Sequence, residues 1–299
     1  MFMSERTVKA NGIEIWTEAF GDPQDPPILL IMGAGAQGVL WPEDFCQRLV
    51  DGGRRVIRYD HRDTGQSTCF DFASQPYTLS DLARDAVGIL DAYGIRRVHA
   101  VGASMGGMVG QILAIEHADR LLSLTSIMST PGGGALASTV LGEGETAPSL
   151  PPPEPEFVAA LQALLLNPPQ TREERIARRL EVFRLTAGSL TPFDGDRLRP
   201  MLEREYDRTR NYEARNNHTL AVAREPDRRR ALAGVSIPTL VIHGTEDPIC
   251  PHAHGVATAE AIPGARLISI EKMGHELPPA AWPRIAEAIL EHTAGSPAR

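Results

Sequence analysis

Ser104 stands between glycines in VGASMGG (101–107), Asp247 precedes a proline in GTEDP (244–248), and His275 follows a glycine in EKMGHELPP (271–279). A serine hydroxyl is a weak nucleophile at neutral pH and needs an adjacent base. An imidazole can be that base, and a carboxylate can fix its tautomer and stabilise the imidazolium. Serine, then acid, then histidine is one of the chain orders in which such a set occurs. The chemistry would be nucleophilic attack on a carbonyl, with a covalent acyl intermediate.

Each assignment has rivals. Gly102, Ser104 and Gly106 fit G-x-S-x-G, which could also be a glycine-eased helix start. Glu246 lies beside Asp247. Nine histidines are present. His275 stands out because it follows the last expected strand on a short loop. His99 and His117 read as packing or surface residues. His61, His218 and His243 could line a site without acting as base, and His252, His254 and His292 look solvated. An oxyanion also needs two backbone N–H donors. Met105, the residue after the serine, would supply one. Ala34 in IMGAGAQG (31–38) would supply the other, with Gly33 and Gly35 as rivals.

Such residues work only if the chain aims them at one place. Two alternating runs flank Asn11-Gly12, a strong hairpin signal. Apolar runs of strand length follow at 26–32, 54–60, 97–103 and 121–128, with helix-like stretches at 42–53 and 80–94 between them. Ser80 is the expected N-cap of the second. Ser104 falls where a strand ends and a helix begins, the context in which G-x-S-x-G raises a serine at a sharp turn. From 131 to 155 no steady period exists. Residues 156–233 are helix-like and heavily charged. Strand and helix alternate again from 237 (IPTLVIHG), through ARLISIE (265–271), to a last helix over 280–292. The tail AGSPAR is expected to fray. Alternation of this kind implies an α/β fold with a mostly parallel sheet, helices on both faces, and a helical cap inserted after the sixth strand. The expected division is a core of 1–130 and 234–299 and a cap of 131–233.

Bulk properties narrow the classes. The chain has 299 residues, enough for one large domain. A net charge of −8 argues against a nucleic-acid partner. The longest apolar run, near 27–34, is too short to cross a bilayer, and no signal-peptide pattern opens the chain. Three scattered cysteines fit a reduced, cytoplasmic protein. No H-E-x-x-H or clustered Cys/His set occurs, so no metal or cofactor is expected. A monomer or small homo-oligomer is consistent with all of this.

The stretches GASMG, YDHRDTGQS (59–67), GTEDP and MGHELP resemble the α/β-hydrolase fold family. The resemblance implies a structural role for Asp60, Arg62, Gly65 and Ser67, holding a loop beside the site. Within that family, LLIMG, LWPEDF and GGRRVIRYDHRDTGQST look most similar to the aclacinomycin methylesterases, which remove a methyl ester from a glycosylated aromatic polyketide. Met32-Gly33 stands where many members have His-Gly. The donor groups there are backbone groups, so the loop still serves.

The sequence therefore reads as a metal-free serine hydrolase acting on a carboxylic ester, a methyl ester if the resemblance holds, of a bulky small molecule. A lactonase or a metal-free haloperoxidase or perhydrolase would use the same triad, and a non-catalytic hydrolase-fold binder is the remaining class. Met32, Gly33, Met108, Phe157, Phe183, Phe193 and Tyr212 are the candidate pocket walls, though any of them could be plain core. The arginines of the cap, Arg172, Arg175, Arg178 and Arg179, are expected on a solvated helix face.

Overall fold

The computed structural model describes residues 3–142 and 150–294; residues 295–299 of the AGSPAR tail lie outside them. β1 (Met3–Ala10) and β2 (Ile13–Phe20) form the hairpin, with Asn11 at φ 49° and Gly12 at φ 80°. Two consecutive positive φ values suit the right-handed twist of the paired strands. β3 (Pro27–Ile31), β4 (Arg55–Tyr59), β5 (Val98–Ala103), β6 (Leu121–Ile127), β7 (Thr239–Gly244) and β8 (Arg266–Ile270) complete one sheet. Its order is β1-β2-β4-β3-β5-β6-β7-β8, parallel from β4 onward and antiparallel at the β1–β2 and β2–β4 edges.

The strands β3 to β7 are buried on both faces, so their sequences are nearly continuous in apolar residues. Along β3, Leu29 and Ile31 pack beneath α2 (Leu79–Ala92) and α3 (Met105–Glu116), while Ile28 and Leu30 pack toward α1 (Glu43–Asp51) and α11 (Trp282–Thr293). One exception sits in β4. Arg58 is fully buried and paired with the equally buried Glu18 on β2. A buried charge costs several kcal/mol unless it is paired, on the order of the penalty for removing either partner.

Helix ends follow local chemistry. Pro42 precedes α1 and Gly52 ends it. The N-cap of α2 lies two residues before Ser80: it is Thr78, in a capping box with Asp81. Ser80 instead donates its hydroxyl to Glu116. Thr78 wins because its extended backbone (φ −119°, ψ 172°) suits the cap and Asp81 sits three residues on.

Between β6 and β7 the chain makes α4 (Gly134–Leu141), α5 (Pro155–Leu165), α6 (Arg172–Thr186), α7 (Gly195–Asp207), α8 (Asn217–Ala223) and α9 (Arg229–Leu232). α4 falls in the stretch without a steady period. Its sequence, GALASTVL, is short and apolar nearly throughout, so no amphipathic repeat could mark it. After β7 come α10 (Ala253–Ala261), β8 and α11.

The cap arginines are not all solvated. Arg172 pairs with Asp207 and Arg199 with Glu173 near the surface, joining α6 to α7. Arg179, four-fifths or more buried, pairs with the buried Glu205 and reaches the central cavity. The HRDTGQS loop is built as its resemblance implied. Asp60 accepts Gly38 N–H and Gln66 N–H and pairs with Arg208, Arg62 grips Asp85 through two nitrogens, and Ser67 bonds Trp16 N–H and Asp60 C=O.

Candidate active site

Ser104 sits between β5 and α3 at φ 55° and ψ −122°, a strained conformation for a side-chain-bearing residue. The turn closes only because its neighbours lack side chains. A Cβ on Gly102 would lie 2.1 Å from Gly106 C=O, and one on Gly106 would lie 2.0 Å from Ile31 C=O. The strained residue is pinned from both sides. Ser104 N–H donates to Ile127 C=O, and the Ser129 hydroxyl donates to Ser104 C=O. α3 is buried from Met105 to Ala114, so the serine rests on a rigid central helix.

β7 and β8 end near the same place. Asp247 lies three residues beyond β7, and His275 lies in the loop after β8. The Ser104 hydroxyl is 2.9 Å from His275 Nε2, and His275 Nδ1 is 2.7 Å from Asp247 Oδ2. A carboxylate only accepts, so Nδ1 carries the proton and Nε2 is free to take one from the serine. The other carboxylate oxygen of Asp247 accepts Ile249 and Cys250 N–H at 3.0 and 2.8 Å. Burial alone would raise the Asp247 carboxyl. His275 and His243 outweigh it and hold the group well below the usual carboxylate range. His243 is buried behind the acid and bonds Cys250 C=O.

Glu246, the rival acid, is exposed and turned away. It accepts the N–H and hydroxyl of Ser189 in the cap at 2.7 and 2.9 Å. A tether of the opposite polarity lies alongside, where His275 N–H donates to Thr186 C=O.

The donor loop after β3 faces the serine. A Cβ on Gly33 would lie 3.1 Å from Ser104 Cβ and 3.6 Å from its Oγ. Gly35 N–H is already committed to His218 Nδ1 at 2.9 Å, which removes one rival to Ala34. Among the described residues, no acceptor takes the N–H of Met105 or of Ala34.

Above these groups is a cavity of about 380 Å³. Ser104, His275, Gly33, Ala34 and Met105 border it, and Met32, Met108, Phe157 and Phe183 form apolar walls. Phe193 and Tyr212 do not line it. Phe193 precedes the Asp194 N-cap of α7, with its ring edge beside Gly195. Tyr212 lies tilted beside Tyr206, with the Arg175 and Arg215 guanidinium groups over its ring. Sequence reasoning missed Arg179, Arg197, Met201 and Glu276, which also border the cavity. The charged ones read as surface residues, and nothing in helical spacing marks which side of a cap helix faces inward. His254 is another correction. It is buried on α10, with its ring nitrogens bonded to the Thr130 hydroxyl and Pro151 C=O. No group of three or more His, Cys, Asp or Glu among the described residues could hold a metal ion.

The family model for the alpha/beta hydrolase fold matches residues 26–278. The chain belongs to the α/β-hydrolase fold family. This α/β-hydrolase is 39% identical to the rhodomycin D methylesterase DauP of Streptomyces sp. (strain C5), over 97% of this chain and 98% of that protein. The rhodomycin D methylesterase DnrP of Streptomyces peucetius matches with the same identity and coverage. Among solved structures, a hydrolase from Pseudomonas aeruginosa PA01 superposes with a TM-score of 0.71 at 25% identity, covering 98% of both chains. An esterase from Exiguobacterium antarcticum has the same fold, with a TM-score of 0.77 at 19% identity over 98% of this chain and all of that one.

Proposed function

We propose that Ser104, His275 and Asp247 are the catalytic triad of an esterase that removes the methyl ester of a bulky polycyclic small molecule. The protein is a carboxylic ester hydrolase with a small-molecule substrate. The observation that carries the residue assignment is the hydrogen-bonded chain from Ser104 Oγ to His275 to the buried Asp247 at the base of an apolar cavity.

Ser104 Oγ attacks the ester carbonyl as His275 Nε2 takes its proton. Asp247 holds the imidazole and stabilises its cationic form. Met105 N–H and Ala34 N–H receive the oxyanion at the N-terminus of α3, where negative charge is favoured. His275 then protonates the leaving alkoxide, which departs as the alcohol. Water, deprotonated by the same imidazole, releases the acid and restores Ser104.

The substrate class rests on the full-length likeness to the two rhodomycin D methylesterases and on the cavity. Its methionine and phenylalanine walls suit a wide apolar ring system, and Arg197 and Glu276 give it one polar border. The reading includes a cytoplasmic enzyme, supported by three free cysteines. Among the described residues, no helix is long and apolar enough to cross a membrane. The test compares kcat/KM for rhodomycin D, a simple aryl lactone and a long-chain triglyceride. A preference of about tenfold or more for the methyl ester, ~1.4 kcal/mol of transition-state binding, supports the reading. Equal or better turnover of the lactone or the triglyceride overturns it.

A further inference from the structure

The loop from Met32 to Gln37 carries Ala34, and two buried histidines hold it on either side. His61 donates Nε2–H to Met32 C=O at 3.0 Å. His218, from the cap helix α8, accepts Gly35 N–H on Nδ1 at 2.9 Å and donates Nε2–H to Arg62 C=O at 2.8 Å. A peptide N–H can only donate and a carbonyl can only accept, so the partners fix the His218 tautomer. The two rings meet edge to face with centroids 5.6 Å apart, and neither is more than 1% exposed. His218 does not border the cavity, although its neighbour Thr219 does. It cannot touch a substrate there, and its two hydrogen bonds are both spent on backbone.

We infer that His218 is a positioning residue for the oxyanion donor: by capturing Gly35 N–H it orients the loop so that the neighbouring Ala34 N–H stays free beside Ser104. The inference rests on the reading of Ala34 as a donor. Backbone donors stabilise a developing oxyanion only if they are already aimed at it. A loop whose N–H groups could rotate to other acceptors would lose that. The imidazole must also stay neutral, because both ring nitrogens of an imidazolium are donors and Nδ1 could then not accept Gly35 N–H. Burial is the main influence keeping the His218 imidazole neutral, lowering it to about 4, with Arg215 and Arg62 adding to it. Tyr77 and His61 supply the remaining ring contacts, and Asn217 ties the start of α8 to Asp63. Because His218 belongs to the cap and Gly35 to the core, the donor loop takes its final form only where the cap is seated.

The experiment compares His218→Leu, His218→Asn and His218→Gln on p-nitrophenyl acetate and on a trifluoromethyl ketone, which adds to a nucleophilic serine to give an oxyanion. An asparagine amide oxygen lies near the place of Nδ1 and can accept Gly35 N–H. A glutamine amide reaches the place of Nε2 and holds only the Arg62 carbonyl. His218→Leu and His218→Gln are expected to lose about 10–100-fold in kcat, the scale of a slightly misplaced group. KM should stay within about threefold, and trifluoromethyl ketone affinity should fall in parallel with kcat. His218→Asn should recover most of the loss. Three results overturn the inference: wild-type kcat in both the leucine and glutamine variants, equal losses in asparagine and glutamine variants, or lost kcat with unchanged ketone affinity. The asparagine–glutamine pair decides the matter even if the leucine variant does not fold. Ser104→Ala runs in the same series. Persisting turnover there would sink the triad reading itself, whereas an inactive Ser104→Ala beside a fully active His218→Gln would sink only the role of His218.

Discussion

Gly188 of the cap and Gly274 of the histidine loop cross backbone to backbone with no room for a side chain on either. A Cβ on Gly274 would lie 2.2 Å from Thr186 C=O and 2.4 Å from Gly188 N, and one on Gly188 would lie 2.2 Å from Lys272 C=O. The cap strand of chain from 186 to 190 thus presses directly on the residue before His275. Leu190 N–H extends the contact by donating to Lys272 C=O. Gly274→Val should push the two segments apart, at about 1–3 kcal/mol of stability as for other overpacked sites. The sharper expectation concerns rate. kcat should fall more than tenfold, since His275 moves with the loop, and a chemical-denaturation curve run beside the kinetics separates the two effects. A variant that keeps its full kcat would show that the crossing does not position the base.

Ser104→Ala should lower kcat by about 10⁴–10⁶-fold, as loss of a triad member does elsewhere. The substitution removes one hydroxyl and leaves Ser104's backbone bonds to Ile127 and Ser129 intact. Unfolding transitions of variant and parent should therefore nearly coincide. Measurable ester turnover by the folded variant would remove Ser104 from the nucleophile's role.

Asp247→Asn and Glu246→Gln should differ by orders of magnitude. Asp247→Asn replaces the acceptor of His275 Nδ1–H by a group that can present the wrong tautomer, a loss of about 10⁴-fold in the serine proteases. Glu246→Gln touches only the tether to Ser189 and should stay within about threefold of the parent. The depressed Asp247 carboxyl sets a sign as well. Its contribution to stability is full above the ordinary carboxylate range and is lost only as pH falls through its lower folded value. The acid-side loss of kcat/KM should therefore show a slope of one proton, with no contribution from this carboxylate. A slope of two would mean that the carboxylate titrates too.

Three buried histidines give stability a pH dependence of the opposite origin. Burial, the leading cause in each, lowers His61 to about 3, His99 to about 4 and His218 to about 4. Neighbouring positive groups, among them Arg62 for His61 and Arg54 for His99, act in the same direction. An unfolded chain takes up these protons near pH 6.5. Between about pH 6.5 and 4 it binds more protons than the folded one, so stability rises with pH across that window. Each histidine contributes up to ~1.4 kcal/mol per pH unit. Urea midpoints measured from pH 7 to 5 should fall, and His99→Phe should make the fall shallower. A flat midpoint over that range would show that these rings take up protons in the folded state.

The three residues of the proposed triad were legible because their signals are local. A glycine-flanked serine at a strand end, an acid before a proline and a histidine after a glycine each need only a few neighbouring residues to be read. The inner strands β3 to β7 were legible for the same reason, since burial on both faces writes apolar runs into the chain. The cap was not. Phe157 and Phe183 do face the cavity while Phe193 and Tyr212 do not, and their spacing holds no difference that separates them. What sorts them is how the cap elements pack on one another and on the core, through contacts such as the Arg179–Glu205 ion pair between residues far apart in the chain. The bond from Gly35 to His218 spans 183 residues and two elements, so nothing in either neighbourhood announces it.

The bonds from Gly35 to His218, from Glu246 to Ser189 and from Asp60 to Arg208 all run between core loops and the chain that follows β6. A graft that exchanged this segment with that of a relative, to import a new substrate range, would import or lose those partners together with the pocket walls. Selectivity and turnover in this enzyme are thus not separable inheritances. A transplanted cap would need an imidazole or an amide oxygen opposite Gly35 and a glycine opposite Gly274 before its new walls could have their full effect on rate.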